Sequence, residues 1–190
     1  MTKTVEATEQ TQFLTFQLAE LTFAAGILRV KEIIEYEAVT RVPNMPASFC
    51  GVINLRGAVV PVVDLALRLG FGASTLTKRS CVIILEVQMS GGERLVMGVL
   101  ADAVSQVIDL PLADIEPPPA FGTKVHADYL KGLGKVGKKF VLILDMDRAL
   151  SSEDVRVLEA QTAAQGTQME AAAFQVGALA TWQPQTVAAL

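Results

Sequence analysis

Three features of this sequence have the residue types and spacing to do chemistry: a lone histidine, a DxD pair and a glycine-rich run. The histidine is His126, which lies between Lys124 and Asp128 in a stretch that follows three prolines. A general base needs a proton within hydrogen-bond reach and a partner that orients it. No motif near His126 supplies either, so we interpret it as a solvated loop residue.

The DxD pair is formed by Asp145 and Asp147, and two carboxylates at this spacing can bind a cation. An apolar, strand-like run precedes the pair and a helix-forming run follows it, so a helix cap is the favoured interpretation. An enzyme that uses the pair with a metal ion is the alternative from a different functional class.

The glycine-rich run, KGLGKVGKK at 131–139, could let backbone N–H groups approach a phosphate. It matches neither GxxxxGK[ST] nor GxGxxG, and a strand-like run follows where a phosphate loop needs a helix. Glycines that shape a hairpin explain it better. We therefore predict that the chain is not an enzyme and has no catalytic residue, bound metal or cofactor.

Composition narrows the function further. The 190 residues are 51% hydrophobic and carry a net charge of −4, without a basic stripe that would attract nucleic acid. Arg56, Asp64 and Arg68 interrupt the most apolar region, so no window reaches the ~18 to 20 residues of a membrane span. Cys50 and Cys81 have no metal-ligand or CxxC spacing and are expected to be reduced and buried. We predict a cytoplasmic protein without nucleic-acid partners and without direct membrane insertion.

Once catalysis and nucleic-acid binding are set aside, a binding function remains, and the stretch GVINLRGAVVPVVDL at 51–65 is the clearest candidate for a binding site. Arg56 stands in an almost entirely apolar run, where a charge is costly unless it reaches water or a carboxylate. Glu32 is the nearest candidate partner from an equivalent strand. We expect Glu32 and Arg56 to lie on adjacent strands and to form an ion pair at the rim of an apolar groove, with their charged groups within about 6 Å.

Short strands and turns must hold these residues in place. FLTFQL (13–18) and CVIILEV (81–87) are typical of strands, and VPNMP (42–46) and EPPPAFG (116–122) are typical of loops. Short strands with brief helical pieces favour a barrel or a sandwich.

The chain also contains an internal repeat. VVPVVDLALRL (59–69) and FVLILDMDRAL (140–150) share a pattern that aligns Asp64 with Asp145. Asp64 is placed to cap one helix, and Asp145 or Asp147 to begin the other. GILRVKEII (26–34) likewise resembles GVLADAVSQVI (98–108). The repeat predicts two similar small barrels packed together. Chance similarity between apolar strands is the alternative.

The two ends of the chain differ from its middle. Residues 1–10 are expected to be flexible, and Ser151 or Ser152 is placed to cap a C-terminal helix. Beyond it, residues 159–190 form an Ala/Gln-rich extension that is either helical or mobile.

Five blocks of the chain resemble the CheW-type coupling proteins of bacterial chemotaxis: FLTFQL, ILRVKEI, VTRVPNMPASFCGVINLRGAVVPVVDL, MGVLADAVSQVIDL and YLKGLGKVGKKFVLILDMDRAL. They stand in the family's order, and a segment such as VxNLRGxxxPxxDL is highly specific. The resemblance implies a CheW-like domain at 11–158. Its fold would be mainly β, with two five-stranded SH3-like β-barrel subdomains that share a hydrophobic core, and with short helices.

The resemblance also implies a non-catalytic adaptor, a scaffold in signal transduction. Proteins of this family bind the regulatory domain of the histidine kinase CheA and the cytoplasmic tip of chemoreceptors, the methyl-accepting chemotaxis proteins, in arrays beneath the membrane. One alternative is a CheW-like adaptor for a non-flagellar pathway, such as type IV pilus or second-messenger control. Another is a severed domain of a larger fusion protein.

Seven positions match family positions implicated in receptor or kinase coupling: Val30, Glu32, Gly51, Arg56, Gly57, Val99 and Val104. Of these, Val99 and Val104 match strand positions that help line the receptor groove between the subdomains. Gly51 matches a position linked to partner binding, or serves backbone geometry alone. The resemblance places the kinase contact on loops and turns of the first subdomain.

Overall fold

Short strands make up most of the described chain, which in this computed structural model comprises residues 12–36, 39–89, 92–118 and 125–150. Its strands are β1 (Gln12–Leu18), β2 (Leu21–Gly26), β3 (Val30–Glu35), β4 (Phe49–Leu55), β5 (Ala58–Asp64), β6 (Cys81–Gln88), β7 (Arg94–Ala101), β8 (Ala103–Asp109), β9 (Ile115–Glu116), β10 (Leu130–Val136) and β11 (Lys139–Leu144). The helices are α1 (Leu65–Arg68) and α2 (Met146–Leu150), and 3₁₀ turns occupy Ile27–Arg29, Leu112–Asp114 and Ala127–Tyr129. The N-terminal segment, the C-terminal helix and the C-terminal extension of the sequence prediction lie outside the described residues.

These strands form two sheets. The six-stranded sheet has the order β8-β1-β2-β11-β10-β9, and the five-stranded sheet has the order β3-β6-β7-β5-β4. Neighbouring strands are antiparallel, except that β11 runs parallel to β2 and β5 runs parallel to β7. The predicted mainly β fold with short helices is confirmed, and β9 is a two-residue addition to the five strands expected in one sheet.

The two sheets follow one plan, as the internal repeat predicts. In order and direction, β3-β6-β7-β5-β4 corresponds to β8-β1-β2-β11-β10. Even the β-bulges correspond: the pairing register skips Lys31 in β3 and Ser105 in β8, and it skips Cys50 in β4 and Lys131 in β10. Bulges sharpen the twist of a strand, so both sheets bend at the same places.

Each sheet nevertheless combines strands from both copies of the repeat. The five-stranded sheet takes β3, β4 and β5 from the first copy but β6 and β7 from the second. The other sheet takes β1 and β2 from the first copy and the rest from the second. The chain changes sheet at the 3₁₀ turn Ile27–Arg29, and again at Asp102 between β7 and β8. The five-stranded barrel is therefore formed by the continuous segment from β3 to β7, which takes strands from both copies, whereas the other barrel combines strands from the two ends of the described chain.

Each sheet closes where the chain leaving one edge strand reaches the opposite edge. After β3, Thr40 pairs with Val52 of β4; after β8, Glu116 of β9 pairs with Leu133 of β10. An edge strand can reach the far edge of its own sheet only if the sheet is curled, so these pairings account for the barrel shape. A barrel has no open edge and is protected from pairing with other chains.

Apolar side chains fill each barrel and the layer between the two sheets. Ile53, Val62 and Ile84 belong to the cluster inside the five-stranded barrel, and Phe13 and Ile143 belong to its counterpart. All five residues of β6 from 81 to 85 are buried, which requires cover on both faces of that strand. Contact between β1 and β7 joins the sheets, in agreement with the expected shared core.

The two predicted helix caps are confirmed. The backbone N–H of Leu67 donates to Asp64 Oδ1 at 3.1 Å, and the backbone N–H of Arg148 donates to Asp145 Oδ1 at 3.2 Å. Both bonds span three residues, as N-cap bonds do. Asp64 also accepts bonds from the backbone and the hydroxyl of Ser74, so it holds the loop after α1 as well.

The mixed composition of the sheets makes the two halves of the chain interdependent. If the chain is cut in the exposed loop at 72–79, we expect neither fragment to fold alone, because each lacks central strands of both barrels. Mixing the fragments should restore the β-sheet circular dichroism and a cooperative thermal transition. A native-like thermal transition in either fragment alone would contradict this topology.

Candidate interaction site

Arg56 lies in the two-residue turn that joins β4 to β5. Arg56 and Gly57 have φ angles of 53° and 91°, and the Asn54 side chain accepts a hydrogen bond of 2.8 Å from the Gly57 backbone. Two consecutive positive φ angles are the mark of a type I′ hairpin turn, whose first position favours asparagine, aspartate or glycine. A left-handed conformation costs a residue such as arginine about 1–2 kcal/mol.

The matching turn in the other sheet shows that the fold does not require this arginine. There Gly137, with a φ angle of 62°, occupies the position of Arg56 between β10 and β11. The second copy thus uses the residue that adopts this backbone without strain. Arg56 adopts this conformation at an energetic cost, so the backbone does not explain why arginine stands here; the contacts of its side chain do.

The predicted ion pair between Arg56 and Glu32 is present. The guanidinium Nη2 lies 3.1 Å from Glu32 Oε2, and the side chains are 82% and 26% exposed respectively. The expectation that they lie on adjacent strands is wrong, because β3 and β4 are the two edges of the five-stranded sheet. Closure of the barrel brings these edges together. An ion pair this exposed adds at most about 1 kcal/mol to stability, so it serves mainly to orient the arginine.

Further charges line the strands beside this pair. Glu86 on β6 accepts from Lys31 Nζ at 2.9 Å and from Arg94 Nη1 at 3.1 Å. The hydrogen bond from Lys31 is the largest cause that lowers the pKa of Glu86, and Arg94 adds to it. Ile33, next to Glu32 on β3, is an exposed apolar side chain, but successive residues of a strand face opposite sides, so it does not share the face of Glu32. The described contacts around Glu32 and Arg56 are therefore mainly between fixed charges.

Gly51 marks the closure point of the five-stranded barrel. Its φ angle is 145°, and a Cβ atom there would lie 2.2 Å from the carbonyl oxygen of Thr40. Gly132 is its counterpart in the other barrel, where an added Cβ atom would lie 2.7 Å from the carbonyl oxygen of Glu116. Backbone geometry therefore accounts for glycine at both positions, and of the two interpretations of Gly51 the geometric one is supported.

The three valines of the predicted site are placed differently. Val30 is half-buried opposite Leu85, and Val104 is half-buried at the corresponding position of the other sheet. Val99 is 0% exposed between β5 and β6. Its side chain cannot line an exposed groove as expected, because both neighbouring strands and the apolar layer cover it. Val99 can influence binding only through packing.

The residues with catalytic potential are engaged in structural contacts. The Nδ1 atom of His126 is 3.2 Å from Asp128, and both side chains are largely exposed, as expected of a solvated loop. Asp145 caps α2, whereas Asp147 accepts from Arg29 and from the backbone of Gln88, each at 2.7 Å. Within the described residues, no group of three or more possible metal ligands comes together.

Arg29 and Asp147 form a contact that the sequence analysis missed. Arg29 lies in the turn where the chain changes sheet, and Asp147 lies in α2; their ion pair, half-buried, joins these segments to the end of β6. No spacing in the sequence signals a bond between residues this far apart. Of the two aspartates that could cap the helix, Asp145 makes the cap and Asp147 binds Arg29 instead.

The two cysteines are free and differ in exposure. Cys81 is buried as expected, whereas Cys50, at the bulge in β4, is only half-buried. Burial, with a smaller contribution from the negative charge of Asp64, raises the pKa of the Cys50 thiol to about 11. Cys50 is therefore protonated at neutral pH and a poor nucleophile.

Comparison with known proteins adds independent findings. A family model described as the CheW-like domain matches residues 12–154. The chain is 35% identical to the chemotaxis protein CheW of Klebsiella aerogenes over 78% of this chain and 86% of the relative, and 31% identical to the protein FrzA of Myxococcus xanthus over 67% and 76%. The crystal structure of the scaffolding protein TtCheW from Thermoanaerobacter tengcongensis is similar with a TM-score of 0.67 and 29% identity, covering 81% of this chain and 96% of that one. Among the described helices, none has the length and apolar character to cross a membrane.

The closure point gives a stability prediction. Gly51→Ala should lower the free energy of unfolding by about 3 kcal/mol or more, because the new methyl group meets the Thr40 carbonyl and the backbone is strained. Gly70→Ala is the matched control: Gly70 has a φ angle of 86° but open space around it, so only the backbone strain of about 1 kcal/mol applies. Urea unfolding measures both variants. Equal losses would mean that the close approach to Thr40 has no energetic consequence.

The raised pKa of Cys50 gives a reactivity prediction. In a Cys81→Ala background, iodoacetamide should modify Cys50 slowly at pH 8, and the rate should rise about tenfold per pH unit until the pH approaches the pKa near 11. The same protein unfolded in urea has an ordinary thiol and provides the reference. If the folded protein reacts at pH 8 as fast as the unfolded one, the thiol is not protected.

Proposed function

The chain belongs to the CheW-like domain family, and from this premise we propose that it is a non-catalytic adaptor that couples chemoreceptors to a CheA-type histidine kinase in bacterial chemotaxis. It would bind the regulatory domain of the kinase and the cytoplasmic tip of the receptors, in the cytoplasm beneath membrane-bound receptor arrays. The relatives support this proposal because they are named chemotaxis and scaffolding proteins.

The observation that connects this proposal to particular residues is the strained and oriented position of Arg56. The side chain is held in a strained turn, is oriented by Glu32 and projects into solvent. The corresponding turn of the other barrel does without it. Strained, exposed and oriented side chains are characteristic of contact sites, and arginine is among the residues enriched in interface hot spots.

An apolar contact surface lies where the chain passes between the sheets. Leu28, in the turn between β2 and β3, is 74% exposed, and half-buried Val30 follows two residues later. The ion pair between Arg29 and Asp147 anchors this turn. An exposed apolar residue held in place in this way can contact the apolar stripe of an amphipathic receptor helix.

The coupling mechanism needs no covalent chemistry. Each contact can be weak, because binding the kinase and the receptor on one rigid body raises the concentration of each in the neighbourhood of the other. The two closed barrels and their shared apolar layer supply that rigidity. A change in receptor geometry would then reach the kinase through the relative placement of the two binding surfaces.

Arg56→Gly separates the contact role of Arg56 from a structural one. Glycine relieves the backbone strain, so the free energy of unfolding should stay within about 1 kcal/mol of the wild type. Binding to the kinase regulatory domain or the receptor fragment should weaken about thirtyfold, the loss of a hot-spot side chain of about 2 kcal/mol. Calorimetric titration measures the affinity, and a kinase assay with receptors measures coupling.

Arg79→Ala is the control for this experiment. Arg79 is also an exposed arginine, but it lies in the loop after α1 and is not one of the charges around Glu32 and Arg56. It should retain coupling. Undiminished binding and kinase activation in Arg56→Gly would show that Arg56 is not a contact, and a wild-type chain that bound neither partner would overturn the proposed function itself.

A further inference from the structure

The hairpin formed by β10 and β11 carries an unusual concentration of positive charge. Between Leu130 and Leu144 the chain has four lysines and no carboxylate. Three of them, Lys135, Lys138 and Lys139, lie at the tip of the hairpin and are exposed. These three lysines and Phe140 are called the basic tip below. The whole chain has a net charge of −4, so the basic tip is an island of opposite sign.

The lysines of the basic tip have no partners within the described part of the chain. Arg29, Lys31, Arg56 and Arg94 each form an ion pair with a carboxylate. No ion pair joins any lysine of the basic tip to another described residue. These charges therefore do not stabilise the fold through ion pairs with the described residues.

An aromatic side chain stands among these charges. Phe140 is 56% exposed and lies directly across from Lys135 in the strand pairing, so both project from the same outer face of the sheet. Next along this face is the pair of Leu133 and Leu142, both half-buried. The basic tip thus places an exposed aromatic side chain beside an ammonium group. This composition is more typical of a recognition surface than of a turn that faces only water.

Comparison of the two barrels shows that the fold does not demand these residues. The corresponding positions of the β4–β5 hairpin are Asn54 for Lys135, Gly57 for Lys138, and Ala58 for Lys139. That hairpin has the same strand pairing and a turn of the same length, with a positive φ angle at its first position as in the β10–β11 turn, without a single lysine. The lysines are therefore free to serve binding.

We propose that the basic tip is a docking surface for an acidic segment of a protein partner in the same signalling complex, one that presents two or more carboxylates beside an apolar side chain. The carboxylates would pair with Lys135, which shares the outer face of Phe140, and with Lys138 in the turn, and the apolar side chain would cover Phe140. Lys139 pairs with Val136 and lies on the opposite face. This inference rests on the proposed function, because the partner is one of the two that the adaptor joins. It adds a second surface, on the other barrel from Arg56.

A protein partner fits this surface better than an anionic membrane does. Binding to anionic lipids is typical of clusters of four to eight basic residues, and the rest of this chain is net negative and would be repelled. Complementary charges on a protein would instead speed association and select the partner.

The test is a double substitution, Lys135→Glu with Lys138→Glu. Its matched control is Lys78→Glu with Arg79→Glu, since these two cations are also exposed, close together in the sequence and without an ion pair to a described residue, but lie in the loop after α1. Both variants change the net charge equally. We expect the hairpin variant to bind the kinase regulatory domain or the receptor fragment at least tenfold more weakly at low salt, and the loss to shrink at about 0.15 M salt. The control variant should bind as the wild type does.

Phe140→Thr and a carbodiimide cross-link make the test specific. Phe140→Thr should weaken the same interaction without changing its salt dependence, and its melting temperature reports whether it folds. A zero-length carbodiimide reagent should join Lys135 or Lys138 to an aspartate or glutamate of the partner, identified by mass spectrometry. Cross-links to this hairpin together with the selective loss in the hairpin variant would establish the docking surface.

The contrary outcomes are distinct from one another. If the wild type binds both partners but the two double variants bind equally, or no cross-link reaches the hairpin, the docking surface is wrong and the adaptor proposal stands. Loss of binding to phosphatidylglycerol vesicles in the hairpin variant alone, with partner binding unchanged, would assign the basic tip to lipid and overturn the proposal. If the wild type binds neither protein, both proposals fall.

Discussion

The close approach of two backbones at Gly51 and at Gly132 is the constraint on which the rest of the structure depends. At each point a side chain would strike the carbonyl of the chain that crosses from one edge of the sheet to the other. Because both positions are glycine, the edges meet and each sheet curls into a barrel. Closure removes the exposed edges that would otherwise pair with other chains, and it brings residues from the two edge strands into contact.

The ion pair between Glu32 and Arg56 is a direct product of that closure. The two residues stand at opposite edges of one sheet, and in an open sheet they would lie four strands apart. In the closed barrel their charged groups are 3.1 Å apart. The binding surface proposed for Arg56 keeps its shape only as long as the barrel stays closed, so the orientation of Arg56 depends on the stability of the fold.

The internal repeat separates what the fold needs from what this chain has added to it. Glycine at the closure point, aspartate at the helix cap and the β-bulges recur in both copies. Arg56 occurs in one copy, and the lysines and Phe140 of the basic tip occur in the other. Features shared by both copies are explained by backbone geometry, and features of one copy are explained better by contacts with other molecules. The two barrels thus provide one scaffold with two chemically different faces.

The sequence by itself determined the local features: the short strands, the two capped helices, the glycine turns and the family that the NLRG block resembles. These depend on residues within a few positions of one another. Only the tertiary structure decided which strands share a sheet, that Val99 is buried, that Arg29 bonds Asp147, and that Glu32 meets Arg56 across a closed barrel. Alternation along a strand indicates which side chains share a face, but it carries no information about the neighbouring strand, because any strand of similar pattern satisfies the same hydrogen bonds. The repeat therefore predicts two similar barrels, but it does not show that each barrel takes strands from both copies.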